Sequence, residues 1–179
     1  YAPDGFMFFP GIMDRCAEAS ESIARSASIP VIIGSISINS NEKISESTIL
    51  VIENGVVRYR MSGHGENIPS GTFMIGGKNV QITTAEGTIP DSFNGDIIVR
   101  LAALPYTRNS IRKKHETLSR EAQSRMSCLV FMNQAGGQGE YICYGRSQMF
   151  DTAGKTVAMC ATFREDMVLA DTDDPGTGP

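Results

Sequence analysis

Two apolar runs, Thr48–Ile52 and Val56–Tyr59, are separated by Glu53-Asn54-Gly55. Asn-Gly readily takes up the left-handed backbone of a two-residue turn, so the segment predicts a tight hairpin and, with it, antiparallel sheet. Other runs have the length and branching of strands: Pro30–Ile38, Val80–Thr84, Ile97–Leu101 and Cys128–Met132. Phe6–Phe9 is wholly apolar and suits a strand buried on both faces. Ser147–Phe150 and Thr156–Cys160 bracket the turn Asp151–Lys155, and Met167–Ala170 reads as a last strand. The Gly-rich stretch from Ser62 to Lys78 reads as irregular and too polar for the core, and Glu86–Gly95 as turns.

Two helices are expected. Asp14–Ala27 follows Pro10-Gly11, with Asp14 as its N-cap and only small residues on its apolar face. In Asn109–Met126, the residues Ile111, His115, Leu118, Ala122 and Met126 recur at three- and four-residue spacing and form one buried stripe. Arg112, Lys113 and Lys114 crowd its first turn, where the helix dipole disfavours cations. Strands, hairpins and two helices give an α+β layer architecture. Gly136-Gly137-Gln138-Gly139 lies between strands, so it offers no helix N-terminus to a phosphate, and a nucleotide-binding domain is set aside.

At 179 residues the chain fits one domain, expected over 1–170, with residues 171–179 as a flexible tail or linker. A net charge of −4 leaves no basic footprint for nucleic acid, and no apolar run is long enough to span a membrane. The four cysteines, Cys16, Cys128, Cys143 and Cys160, form no Cys-x-x-Cys pair. They read as free thiols of a reducing, cytoplasmic compartment, with no metal site. The start at Tyr1, without Met or a signal-like segment, points to a fragment or processed product.

Val130-Phe131-Met132-Asn133-Gln134-Ala135-Gly136-Gly137-Gln138 is too unusual to be generic. It resembles the Val-Asn-Gln-Val-Gly-Gly-Gln-Asp segment of glutamine-dependent NAD synthetases, in their nitrilase-type (carbon–nitrogen hydrolase) glutaminase domain. Tyr144-Gly145-Arg146-Ser147 resembles that family's Asp-Gly-Gly/Arg-Ser, and Leu104-Pro105-Tyr106-Thr107-Arg108 its Ser-Pro-Tyr-His-Arg. The match is specific from about Ala102 to Asp173 and looser from Phe6 to Glu86. It implies a nitrilase-like α-β-β-α sandwich, truncated, because the family's first strand and helix have no counterpart. The segment between Ala85 and Asp96 is also short, without most of a family helix.

The family hydrolyses an amide with a Glu–Lys–Cys set, in which the thiolate attacks, the Glu shuttles protons and the Lys stabilises the tetrahedral intermediate. Carried over residue by residue, the Glu of Phe-Pro-Glu falls on Gly11, the Lys of Tyr-Arg-Lys on Met61, and the Cys of Cys-Glu-Asp on Ala85. All three positions are replaced. The family's Ser-Ala-Ser-Pro-Tyr is Ala102-Ala103-Leu104-Pro105-Tyr106 here, without either hydroxyl. Glu86, Tyr106 and Arg108 remain as a vestigial site, with Arg108 read either as a holder of a carboxylate or as an ordinary surface or structural pairing.

Other chemical candidates have plainer readings. Cys143 beside Arg146 reads as an inert, half-buried thiol, His64 as a solvated loop residue, and His115 as packed and hydrogen-bonded. The expectation is a non-catalytic nitrilase-like domain with a structural, assembly or partner-binding role in an NAD synthetase homologue. No cofactor is expected, and the partners are a second copy or an associated synthetase domain. The alternative is an active glutamine amidohydrolase supplying ammonia for NAD synthesis.

Overall fold

The structure is a computed structural model that describes residues 10–39, 44–64 and 68–173. The Phe6–Phe9 run and most of the 171–179 tail lie outside the described residues. The chain divides into two compact units, Tyr1–Gly71 with Glu86–Thr88, and Thr72–Ala85 with Ile89–Pro179.

The first unit is a helix on a three-stranded antiparallel meander. Helix α1 (Ile12–Ser26) is capped by Gly11 at φ 80°, not by Asp14. A residue without Cβ turns the chain into the helix there, and Asp14 falls instead in the first turn, where a carboxylate favours the dipole. The buried residues of α1, Ser20 and Ala24, are small, as expected, and the helix lies against β1 (Val31–Asn39) and β3 (Val56–Gly63). Between these two strands runs β2 (Ile44–Glu53). Asn54 and Gly55, at φ 53° and 78°, close β2 onto β3 as the expected tight hairpin. Ile49, Leu50, Val51 and Ile52 are all buried, so both faces of β2 are covered. β3 runs on past Tyr59 because Thr48, Ser37 and Ser62 hydrogen-bond across the strands at 2.8–3.1 Å. Ser62 therefore belongs to the sheet.

The second unit is a mixed sheet of six strands in the order β11-β10-β7-β6-β5-β4. Its strands are β4 (Ser70–Ile75), β5 (Lys78–Thr84), β6 (Ile97–Ala102), β7 (Cys128–Asn133), β10 (Gln148–Phe150) and β11 (Thr156–Met159). A separate hairpin pairs β8 (Ala135–Gln138) with β9 (Tyr141–Tyr144). β4 corrects the reading of Ser62–Lys78 as irregular. Exposure alternates along β4 and turns Gly71, Phe73 and Ile75 inward, and Gly76-Gly77 lead into β5. Met167–Ala170 is not a strand. The Asp166 carboxylate accepts from the N–H groups of Ala161 and Met167, at 2.8 and 2.9 Å, and holds this segment as a loop. Those bonds lower the Asp166 pKa, and Met167 and Leu169 are 82% and 79% exposed.

β5, β6 and β7 are parallel, which requires crossovers of about a dozen residues or more. Residues 85–96 make the first without a helix; the second carries α2 (Ser110–Arg125). Leu118 and Ala122 of α2 pack on Ile98, Leu129, Phe131 and Phe150, which form the core of this unit. Met126, expected as the last residue of the stripe, is 76% exposed. It takes the left-handed C-cap conformation at φ 50°, and the chain turns its side chain out.

On the same face of the sheet lies Arg100, among apolar neighbours. Its Nη2 and Nε donate to the two carboxylate oxygens of Glu121, at 2.6 and 2.9 Å, and its Nη1 to Thr84 O at 3.1 Å. The two side chains are 9% and 19% exposed. Removing one partner of such a pair leaves a buried charge, so Glu121→Ala is expected to cost about 3 kcal/mol in urea unfolding. A loss below about 1 kcal/mol would mean that the pair is not what holds α2.

The Asp151–Lys155 turn is as expected. Asp151 Oδ1 accepts from the N–H groups of Ala153 and Lys155, both at 2.9 Å. Gly154 sits at φ 79°, and a Cβ there would come within 2.5 Å of Ser119 O. Gly154→Ala is expected to lower the unfolding free energy by about 2 kcal/mol, measured the same way.

Candidate functional site

β5 delivers its last residues to the N-terminal part of α2. Ala85 follows directly, its N–H held by Leu101 O at 2.8 Å. Its carbonyl receives Lys114 Nζ at 3.4 Å and lies 3.5 Å from Arg100 Nη1. Lys114 also stands 5.8 Å from the centre of the Phe131 ring. These contacts account for one of the three cations in the first turns of α2. Arg112 leans on Glu116 at 3.6 Å, with both side chains largely exposed.

Of the residues carried over for catalysis, Gly11 caps α1 and Met61 lies on β3, both in the first unit, while Ala85 is in the second. Glu86 and Arg108 are exposed. Tyr106 is half exposed, its N–H donating to Ile142 O at 2.7 Å and its ring edge-on to Phe163 at 5.3 Å.

Beside Tyr106 a cavity of about 360 Å³ opens, lined by Tyr106, Asn109, Ile111, Arg112, His115 and Arg146. Arg108 is not among its lining residues; the guanidinium groups there are those of Arg112 and Arg146. The pointer to them in the sequence was the cationic first turn of α2, together with the motif that contains Arg146. Gly145 and Arg146 both have positive φ, 64° and 54°. Glycine adopts this backbone freely, whereas an arginine pays about 1 kcal/mol for it. The Arg146 Nη1 reaches Thr162 Oγ1 at 3.3 Å, and its Nε is buried with no hydrogen-bond partner among the described residues.

Asn133, from the motif that carries the resemblance, is a fastener. Its Oδ1 accepts from Leu104 N at 2.8 Å and its Nδ2 donates to Gly145 O at 2.9 Å. It thereby holds the two loops that present Tyr106 and Arg146.

The remaining candidates are mostly placed as expected. His115 Nδ1 lies 2.5 Å from Gln148 Oε1, and its ring packs on Phe150. Cys143 is buried. His64 is less isolated than expected, with Nδ1 3.7 Å from Glu46 Oε1.

The arrangement can be compared with known proteins. No family profile matches the chain. A glutamine-dependent NAD(+) synthetase of Aquifex aeolicus is 32% identical over 78 residues, which are 44% of this chain and 14% of that protein. The glutamine-dependent NAD+ synthetase of Acinetobacter baumannii, solved with ADP, superposes with a TM-score of 0.78 at 19% identity. That match covers 93% of this chain and 35% of the synthetase. An amidase of the nitrilase superfamily from Nesterenkonia sp. AN1 gives 0.68 at 16% identity, over 90% of this chain and 71% of the amidase.

This chain has the nitrilase fold.

It spans about a third of the synthetase it superposes on. The α+β class expected from the sequence holds, and so does the similarity to glutamine-dependent NAD synthetases.

Burial raises the thiol pKa of Cys128, Cys143 and Cys160 above its ordinary value. A raised pKa leaves less thiolate at neutral pH, and thiolate is the reactive form. Iodoacetamide should therefore label these three more slowly than it labels glutathione at neutral pH. Labelling should accelerate only as the pH passes the ordinary thiol value of about 8.5. Peptide mass spectrometry reads the rates; fast labelling of Cys143 at neutral pH would contradict its burial.

Proposed function

We propose that this is a non-catalytic nitrilase-like domain with a structural, assembly or partner-binding role in an NAD synthetase homologue. The observation that carries the reading is Ala85, which places a methyl group at the end of β5 where the resemblance puts the nucleophile. Gly11 and Met61, at the positions of the base and the cation, support it, because acyl transfer from an amide needs all three groups. The buried thiol of Cys143, with its raised pKa, is a poor substitute nucleophile.

Association with a second copy or with a synthetase domain is part of the proposal. Tyr141, Ile142, Phe163, Met167 and Leu169, all in the second unit, expose large apolar side chains, a composition that suits a covered surface. A cytoplasmic setting is supported by four cysteines that are all free. No cofactor enters this reading.

The test is ammonia release from glutamine by the purified chain, read with a coupled glutamate dehydrogenase assay beside a heat-denatured control. No release above the control is expected. A glutaminase rate that Cys143→Ala abolishes would overturn the proposal and make the chain a working amidohydrolase.

A further inference from the structure

The first turns of α2 concentrate positive charge. The helix has no acidic residue in its first turn and no side-chain cap on its N-terminus, while Arg112, Lys113 and Lys114 sit where the dipole is already positive. Lys114 is taken up by the Ala85 carbonyl and Phe131, but the partner of Arg112 is an exposed glutamate, and such pairs hold weakly. Arg146 lines the same cavity, fixed in a backbone conformation that a glycine would occupy more easily, and its buried Nε finds no acceptor among the described residues. No carboxylate is among the lining residues. A buried donor without an acceptor is costly, and an arginine kept in a strained position gains most from a ligand that accepts from its fork.

We propose that this cavity binds a small oxyanion, a phosphate or carboxylate group, between Arg112 and Arg146. His115 and Asn109 supply further polar contacts, and Tyr106 and Ile111 give the walls for whatever carries the anion. Its volume of about 360 Å³ suits a small metabolite. The inference is independent of whether the domain is catalytic, since it uses none of Gly11, Met61 and Ala85.

The test is a titration of the full 179-residue chain, in low-salt buffer with sodium chloride as control, against inorganic phosphate and separately against L-glutamate. Calorimetry gives affinities, and amide NMR shifts locate the site. Saturable binding of at least one probe is expected, with shifts centred on Ile111, Arg112, His115 and Arg146. Which probe binds tells phosphate from carboxylate. Arg146→Gly should weaken binding roughly tenfold or more while melting no lower than the parent, because glycine suits the positive φ. Arg112→Ala, at an exposed helix position, should weaken it too without disturbing the fold. No saturable binding of either probe would overturn the proposal, and so would binding that both variants leave unchanged.

Discussion

A guanidinium in the middle of an apolar sheet face has to be satisfied, and Arg100 sets much of the second unit by that requirement. An unpaired charge there would cost more than any single contact of the core returns. Glu121 answers with both oxygens, and the carbonyls at the end of β5 take the remaining donors. The bidentate fork fixes how α2 is rotated and how far it slides along the sheet, because Glu121 can reach Arg100 from one face only. Side chains three and four positions apart share a helix face, so Lys114 and Leu118 follow Glu121 in line. Leu118 and Ala122 enter the core, Lys114 arrives over Phe131 and the Ala85 carbonyl, and His115 meets Gln148. The cavity at the start of α2 owes its position to the same rotation.

The sequence made legible whatever was written in local periodicity. Asn54-Gly55 announced its hairpin, the three- and four-residue spacing found α2, and dense apolar runs marked β6 and β7. What it hid has a common cause: the deciding partner is remote. Arg100 stands inside the Ile97–Leu101 run, and only Glu121, far along the chain, explains a charge there. Met126 fits the stripe by spacing, yet the left-handed C-cap turns it out. Met167–Ala170 has the apolar content of a strand, but the Asp166 carboxylate claims a backbone donor within it. β4 went unseen because an edge strand with one open face carries as many polar residues as a loop does. In the site, Tyr106 was found through a motif, whereas Arg112 stood only as an unexplained charge and Arg146 as a motif residue and neighbour of Cys143 with no role of its own.

The motif that carries the resemblance fastens backbone in this structure. Asn133 ties the Leu104 and Gly145 backbones together, and the Gly-rich residues after it form a hairpin. Such a fastener depends on backbone groups, which every residue type provides, so it can persist whatever side chains stand at the nucleophile, base and cation positions. Fold and function are then carried by separable sets of residues, and a strong likeness in one says little about the other.

The end of β5 shows the same separation at close range. Lys114 and Arg100 are directed at the Ala85 carbonyl, an acceptor that a cysteine or an alanine at this position offers equally. Neither bond senses the side chain. The backbone anchoring of this strand end is therefore kept whatever side chain stands here, and the cations keep an acceptor. Positive charge around the start of α2 thus has a structural use through Lys114 that does not depend on amide hydrolysis. Arg112 and Arg146 fall outside that use, since neither contributes to the Ala85 carbonyl, and both line the cavity beside Tyr106.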